Sequence, residues 1–270
     1  MYEVGNQSNL RTWRDKLRIG VAGAMLLGLP PVIDETQPAS EYAEQPLQQQ
    51  AEVRLITANV HNQPLSKFYL SSFQMADPQA ILDSREPDVA CFQEISNTAV
   101  AKLSKREGAY VRGSKTPLNN VGVALVSNRK MKNVDRVNLS RNSLRPALVA
   151  EIDDIQFACL HLTDDDISAH QELQTLLKKY PGSDIVMGDF NLTPNRIGRT
   201  MGHFAIASTA EPTLTRGVRP AVDRIFLSSD ALALKYWDSA VFETGSDHRA
   251  VEFVGIPSNF GNFNPKELHQ

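Results

Sequence analysis

From residue 53 onward, short apolar runs alternate with polar clusters, and a few stretches between them have helical spacing. Val53–Val60 is apolar and β-prone and ends at Asn59, with His61 and Asn62 following. Pro78–Arg85 reads as a short helix with proline in its first turn. Asp88–Ile95 reads as a strand with Glu94 at its exit, and Ser96 or Asn97 caps a helix over Thr98–Glu107 that Gly108 stops. Strands follow at Gly122–Ser127, Val134–Leu139, Ala147–Ile152 and Gln156–Leu162, with Asp153-Asp154 fitting a tight hairpin turn. A longer helix, Asp166–Tyr180, has Asp164 or Asp165 as cap and Lys178-Lys179 in its last turn, where positive charge suits the helix dipole. Ile185–Met187 is a buried strand entered from the Pro181-Gly182 turn. A polar loop then leads to strands at Val222–Leu227, Tyr236–Phe242 and Ala250–Val254. No repeat at a fixed period and no regular βαβ alternation is visible. The pattern predicts an α+β sandwich.

Composition narrows the picture modestly. At 270 residues and 41% hydrophobic content, the chain can fill one sizeable core. A net charge of -3 carries no global signature for nucleic acid. Two cysteines cannot build a disulfide framework or a structural zinc site. Cys91 and Cys159 read as small core residues; a disulfide between them requires neighbouring strands and export. Residues 1–50 form a separate region. Arg11, Arg14, Lys16 and Arg18 precede an uncharged stretch, Ile19 to Ile33, and a Gln/Pro-rich linker follows. That order resembles a signal peptide or membrane anchor, although Pro30-Pro31 interrupts the stretch and Glu41 spoils a cleavage site at Tyr42-Ala43. The expected organisation is an extension over 1–50, a domain over 51–257 and an irregular tail over 258–270. The extension implies an extracytoplasmic protein, secreted or attached to a membrane through residues 11–33; the alternative is a cytoplasmic protein with a disordered leader.

The chemistry lies where apolar strands end. Gly188 lets the chain bend after Met187, and Asp189 and Asn191 sit two positions apart, which on an extended backbone points both to one side. Asn59, Glu94, His161, and Asp247 with His248 stand at other strand ends, and Asp223 opens a strand. Burying such groups without a partner is costly, so their recurrence at strand ends predicts convergence on one sandwich edge. His61, His170, His203 and His269 read as ordinary histidines.

Thr-Ala-Asn59, Phe-Gln-Glu94, Leu-His161-Leu, Gly-Asp189-Phe-Asn191, Val-Asp223-Arg-Ile-Phe and Gly-Ser-Asp247-His248 together resemble the endonuclease/exonuclease/phosphatase superfamily in order and rough spacing. The resemblance spans about Val53 to Val254. It implies a four-layer α/β/β/α sandwich of two packed mixed sheets flanked by helices. It also implies a Mg²⁺- or Mn²⁺-dependent hydrolase that cleaves phosphoester bonds by in-line displacement. On that basis Glu94 is the first metal ligand, with Asn59 beside it and Asp247 completing the set. Asp189 would orient or deprotonate the attacking water, and Asn191 would hold a phosphate oxygen. His248 would meet the scissile phosphate, its tautomer fixed by Asp223, and His161 would assist at a non-bridging or leaving oxygen. Arg145, in Leu-Arg-Pro-Ala-Leu, matches a phosphate-binding position in several members; it also reads as a surface arginine before a strand.

Substrate is expected to be a nucleic acid or related phosphodiester, handled by a monomer. Leu192-Thr193-Pro194 after Asn191 departs from the inositol-phosphatase pattern, and His161 brings the chain nearer the deoxyribonuclease I and sphingomyelinase branches. Between Lys102 and Arg145 stand eleven Lys/Arg against Glu107 and Asp135, a block that could grip phosphates or simply be a solvated face. The alternatives are a phosphatase or sphingomyelinase-like enzyme and, in another class, a catalytically silent membrane-tethered binding domain.

Overall fold

Successive side chains of β1 (Val53–Asn59) fall on opposite faces, so Leu55 joins one apolar cluster while Ile56 and Ala58 join another. β2 (Val89–Ser96) divides Cys91 from Ala90 and Phe92 in the same way, and β7 (Ile155–His161) divides Phe157 and Cys159 from Ala158 and Leu160. Strands apolar on both faces need cover on both, which a packed pair of sheets with outer helices provides. The computed structural model describes residues 52–61, 76–114, 121–139, 145–192, 194–202, 204–207, 213–214, 222–228 and 234–257. The expected N-terminal extension, its membrane-leading segment 11–33 and the tail past residue 257 lie outside the described residues.

The other strands are β3 (Tyr110–Gly113), β4 (Val121–Ser127), β5 (Met131–Val137), β6 (Ala147–Ile152), β8 (Ile185–Asp189), β9 (Phe204–Ile206), β10 (Asp223–Ser228), β11 (Leu234–Phe242) and β12 (Ala250–Pro257). The first sheet runs β11-β12-β1-β2-β4-β3 and the second β5-β6-β7-β8-β10-β9. Each is mixed, with one parallel pair near its centre, β1–β2 and β7–β8. On the outside of the first sheet lie α1 (Pro78–Arg85), contributing Ile81 and Leu82, and α2 (Asn97–Leu103), contributing Leu103. On the outside of the second lie α3 (Asp166–Lys179), with Ala169, Leu173 and Leu176, and α4 (Pro194–Thr200), with Ile197. This is the α/β/β/α sandwich that the family resemblance implies. Burying each large apolar side chain in these layers contributes roughly 2 kcal/mol. No helix among the described residues is long and apolar enough to cross a membrane.

Local signals place most boundaries. Asp77 caps α1 through the Gln79 amide at 2.9 Å, and Ser96 caps α2 through the Ala99 amide at 3.2 Å. Asp165, not Asp164, caps α3. Asp153 and Asp154 both have positive φ, 50° and 64°, as a two-residue hairpin turn between β6 and β7 requires. At Gly188, φ is 148° and an added Cβ would lie 2.0 Å from the Leu160 carbonyl oxygen, so β7 and β8 meet there only because the side chain is absent.

Two expectations need correction. The polar stretch after residue 192 holds α4 and β9, and Tyr110–Gly113 forms β3, none of which has a strong apolar period. Cys91 and Cys159 are not separate core residues but a disulfide, with Cα atoms 5.5 Å apart, joining β2 of one sheet to β7 of the other. Both cysteines face the layer between the sheets, so stacking the sheets brings them together.

Candidate active site

Three neighbouring strands of the second sheet set one row of polar groups side by side. His161 ends β7, Asp189 ends β8 and Asp223 opens β10, with Asp189 in register with both of the others. All three are buried. Burial, and then the charge of Asp223, pushes the Asp189 carboxyl up to about 7. His248 Nδ1 lies 2.9 Å from Asp223 Oδ2 and 3.9 Å from Asp189 Oδ2. Burial alone would depress His248, but the charge and hydrogen bond of Asp223, with Asp189 and Asp247, outweigh it and raise it to about 10. The imidazole therefore keeps its proton at neutral pH. His161 behaves oppositely: burial, then the Arg145 charge, pushes it down to about 3, so it is neutral. Its Nε2 stands 3.5 Å from Asp189 Oδ2 and 3.9 Å from Glu94 Oε1.

The first sheet brings the opposite wall. Asn59 Nδ2 donates to Asp189 Oδ2 at 3.1 Å and to Glu94 Oε1 at 3.4 Å, so one carboxamide ties both carboxylates and both sheets. Its Oδ1 accepts from the His61 amide at 3.2 Å. The structure differs from the expectation at Glu94, which is not at the strand exit. β2 runs on to Ser96, and a bulge between Phe92 and Ile95, with φ 52° at Glu94, turns the carboxylate to the rim. His61, φ 43°, places Nδ1 3.0 Å from Glu94 Oε2. Asp247 Oδ1 accepts from Ser246 Oγ at 3.2 Å, and its charge contributes to the raised His61 and His248.

Asn191 arrives differently from the extended spacing expected of it. Its φ is 50°, and its amide donates to Asp189 Oδ1 at 3.0 Å, so a tight turn rather than a strand aims its side chain. Asn191 Nδ2 donates to the Leu162 carbonyl at 2.9 Å and to Asp164 Oδ1 at 3.3 Å. Arg145 Nη1 uses the same two acceptors, at 2.8 and 2.6 Å. Arg145 and Asn191 thus stand together, their donors gathered on the exposed Asp164. Sequence reasoning missed two of these residues. His61 lies two positions past Asn59, a signal that was available; Asp164 was read as a possible helix cap. Strain concentrates here: His61, Glu94 and Asn191 are three of the seven non-glycine residues with positive φ among the described residues.

The donors at the first-sheet rim suit a hard divalent cation. Glu94 offers two oxygens at a partly open edge, with the Asn59 carboxamide beside it. One ligand atom each from Asp189, Asp223 and His248 also lies within 4.8 Å of the others. In that second grouping His248 Nδ1 is already hydrogen-bonded to Asp223, and both carboxylates are fully buried, which leaves little room for the waters a hard ion keeps.

Residues 56–248 match the Endonuclease/Exonuclease/phosphatase family, and the chain belongs to it. It is accordingly a hydrolase of a family that includes endonucleases, exonucleases and phosphatases. No curated protein sequence matches the chain. Among solved structures it resembles D. rerio TDP2 complexed with a single-strand DNA product, at 16% identity and TM-score 0.59, covering 76% of this chain and 99% of that one. An endonuclease/exonuclease/phosphatase family protein from Bacteroides thetaiotaomicron matches at 15% identity and TM-score 0.60, over 77% and 98%. A mannosyl-6-phosphatase from the same organism matches at 14% and 0.57, over 74% and 98%. At these identities the likeness establishes the fold.

Proposed function

We propose that the chain is a divalent-metal-dependent phosphodiesterase acting on nucleic acid, by in-line attack of a water that Asp189 activates. The observation that supports this most is Asp189 itself. It is a buried carboxyl lifted to about 7, poised to accept a proton at neutral pH and tied through Asn59 to Glu94. Asp189 takes the proton of a water positioned between it and the phosphorus; as the water oxygen bonds to phosphorus the opposite P–O bond breaks, and the leaving oxygen departs and is protonated from solvent. His248, held at Nδ1 by Asp223, has Nε2–H left to donate to a phosphoryl oxygen. Neutral His161 keeps Asp189 and Glu94 oriented from below and offers a hydrogen bond without adding charge. Arg145 and Asn191 exchange Asp164 for a non-bridging oxygen. When bound by Glu94 with Asn59 and Asp247, Mg²⁺ or Mn²⁺ supplies Lewis-acid stabilisation of the charge building on the phosphoryl oxygens.

The single-strand DNA product in the TDP2 relative favours nucleic acid. A second reading, a phosphatase of small esters, is favoured by the basic block. Lys102, Arg106, Arg129, Lys132 and Arg145 are paired with Asp77, Asp83, Asp153, Asp154 and Asp164, which leaves less free cation for a polyanion. Full-length chain and Asp189→Ala should be assayed with Mg²⁺ and Mn²⁺ on single-stranded DNA, RNA, sphingomyelin and sugar or inositol phosphates. Turnover of DNA or RNA that disappears in the variant and in a chelator supports the proposal. Turnover of monoesters alone moves the assignment to the second reading, and metal binding without any turnover to a silent binding domain.

The Cys91–Cys159 bridge favours an oxidising compartment, and we place the domain outside the cytoplasm, led there by the basic-then-apolar segment 11–33. Thiol alkylation of protein from intact cells tests this: reactive cysteines would place it in the cytoplasm.

A further inference from the structure

We propose that His61 is a direct ligand of the ion bound at Glu94, and that this nitrogen donor makes the site favour a first-row transition ion such as Mn²⁺ over Mg²⁺. The inference rests on the metal-dependent reading above and deepens it. His61 Nδ1 and Glu94 Oε2 are 3.0 Å apart. Two ligands at right angles around an ion, each at about 2.1 Å, are separated by about 3 Å. The pair is therefore already at the spacing of adjacent corners of one coordination shell.

The backbone supports an aimed imidazole. His61 holds a left-handed φ of 43° just past the end of β1, where its amide is fixed on Asn59 Oδ1. Glu94 holds its own left-handed φ of 52°. Two strained residues from different strands converge on one contact, and such strain persists where the surrounding fold enforces it. Access agrees too. The His61 and Glu94 side chains are 24% and 15% exposed, so an ion there keeps room for water. The other two histidines here meet different partners: His161 is buried beside Asp189, and His248 Nδ1 faces the fully buried Asp223, whereas His61 Nδ1 faces the partly open ligand Glu94 itself. Replacing an oxygen ligand by imidazole raises affinity for first-row transition ions more than for Mg²⁺, which prefers carboxylate and water.

The test uses Mn²⁺ as the probe, with full-length wild type, His61→Ala, His61→Asn, His161→Ala and Glu94→Ala. Free Mn²⁺ is read by electron paramagnetic resonance, and bound nitrogen by ¹⁴N electron spin-echo modulation. The expected result is one Mn²⁺ site lost in Glu94→Ala, with nitrogen modulation in wild type and His161→Ala but in neither His61 variant. Mn²⁺ affinity should fall at least about ten-fold in His61→Ala, whereas Mg²⁺ affinity by competition should change less than about threefold. The wild-type modulation is read whether or not a variant folds. A Glu94-dependent Mn²⁺ site without nitrogen modulation, or with modulation surviving in both His61 variants, overturns this inference and leaves the metal-dependent reading standing. Wild type that binds no Mn²⁺ or Mg²⁺ overturns both.

Discussion

Glu94 and His61, carried by the first sheet, keep 15% and 24% of their side chains exposed, whereas Asp189 and Asp223 of the second keep 1% and 0%. One side of the cleft has to stay wet, because a hard cation retains water among its ligands. The other has to stay dry, because only desolvation beside a second carboxylate can hold an aspartate near neutrality. Asn59 spans the boundary with one amide, and the disulfide fixes the sheets behind it. The division of labour can be tested by asking which lesions an excess of ion repairs.

Asp189→Asn carries the largest effect. Turnover should fall by about 10³–10⁴-fold with unchanged circular dichroism, and raising Mg²⁺ or Mn²⁺ should restore none of it. Recovery at high metal would mean that the two walls are not separate in role. Replacing both Cys91 and Cys159 by alanine should cost about 4 kcal/mol, since the bridge closes a long loop with a sequence separation of 68. Thermal melts should record this as a fall on the order of 10 °C. Glu94→Gln should lose about 10–100-fold at limiting metal and regain most of it at saturation. A lesion there that no concentration of ion repairs would move Glu94 to the proton-handling wall.

The smallest effect is in pH dependence. The rate should rise as Asp189 loses its proton near 7 and fall as His248 loses its own near 10. Asp223 raises both groups, so Asp223→Asn should move both limbs to lower pH by about one unit. Limbs that stay in place would remove Asp223 from the coupling. The signs also set metal-free stability. Raised Asp189 contributes stability present below its usual 3.8 and lost as pH climbs through about 7. Raised His248 contributes stability present below 6.5 and lost on the way to about 10. Depressed His161 works the other way, its contribution lost as pH falls from 6.5 toward about 3.

Much of this arrangement could be read from the chain because polar groups at the ends of apolar strands are conspicuous. Asp189, His161 and Asp223 occupy one row for that reason, and α1 has the ends that its Pro78 and Arg85 suggest. What could not be read depends on contacts between distant segments. The Glu94 bulge is set by pairing with β4, and the left-handed His61 by the hydrogen bond its amide makes back to Asn59. The disulfide was closer to legible: Cys91 lies three positions before Glu94 and Cys159 two before His161, so bringing one pair together brings the other. How far the basic block is neutralised could not be read locally, because the acids paired with five of its cations, Asp77, Asp83, Asp153, Asp154 and Asp164, lie outside that stretch of sequence.

Gly188 carries a consequence for how freely this domain can diversify. With no room beside Leu160 for even a methyl group, alanine there is as unwelcome as a bulky or charged residue. In a saturation library that column would show no gradation by size or polarity, unlike an ordinary core position, where near-isosteres survive. A lineage could redecorate the cleft's rim widely for new phosphoesters, while the crossing beneath it admits one residue type.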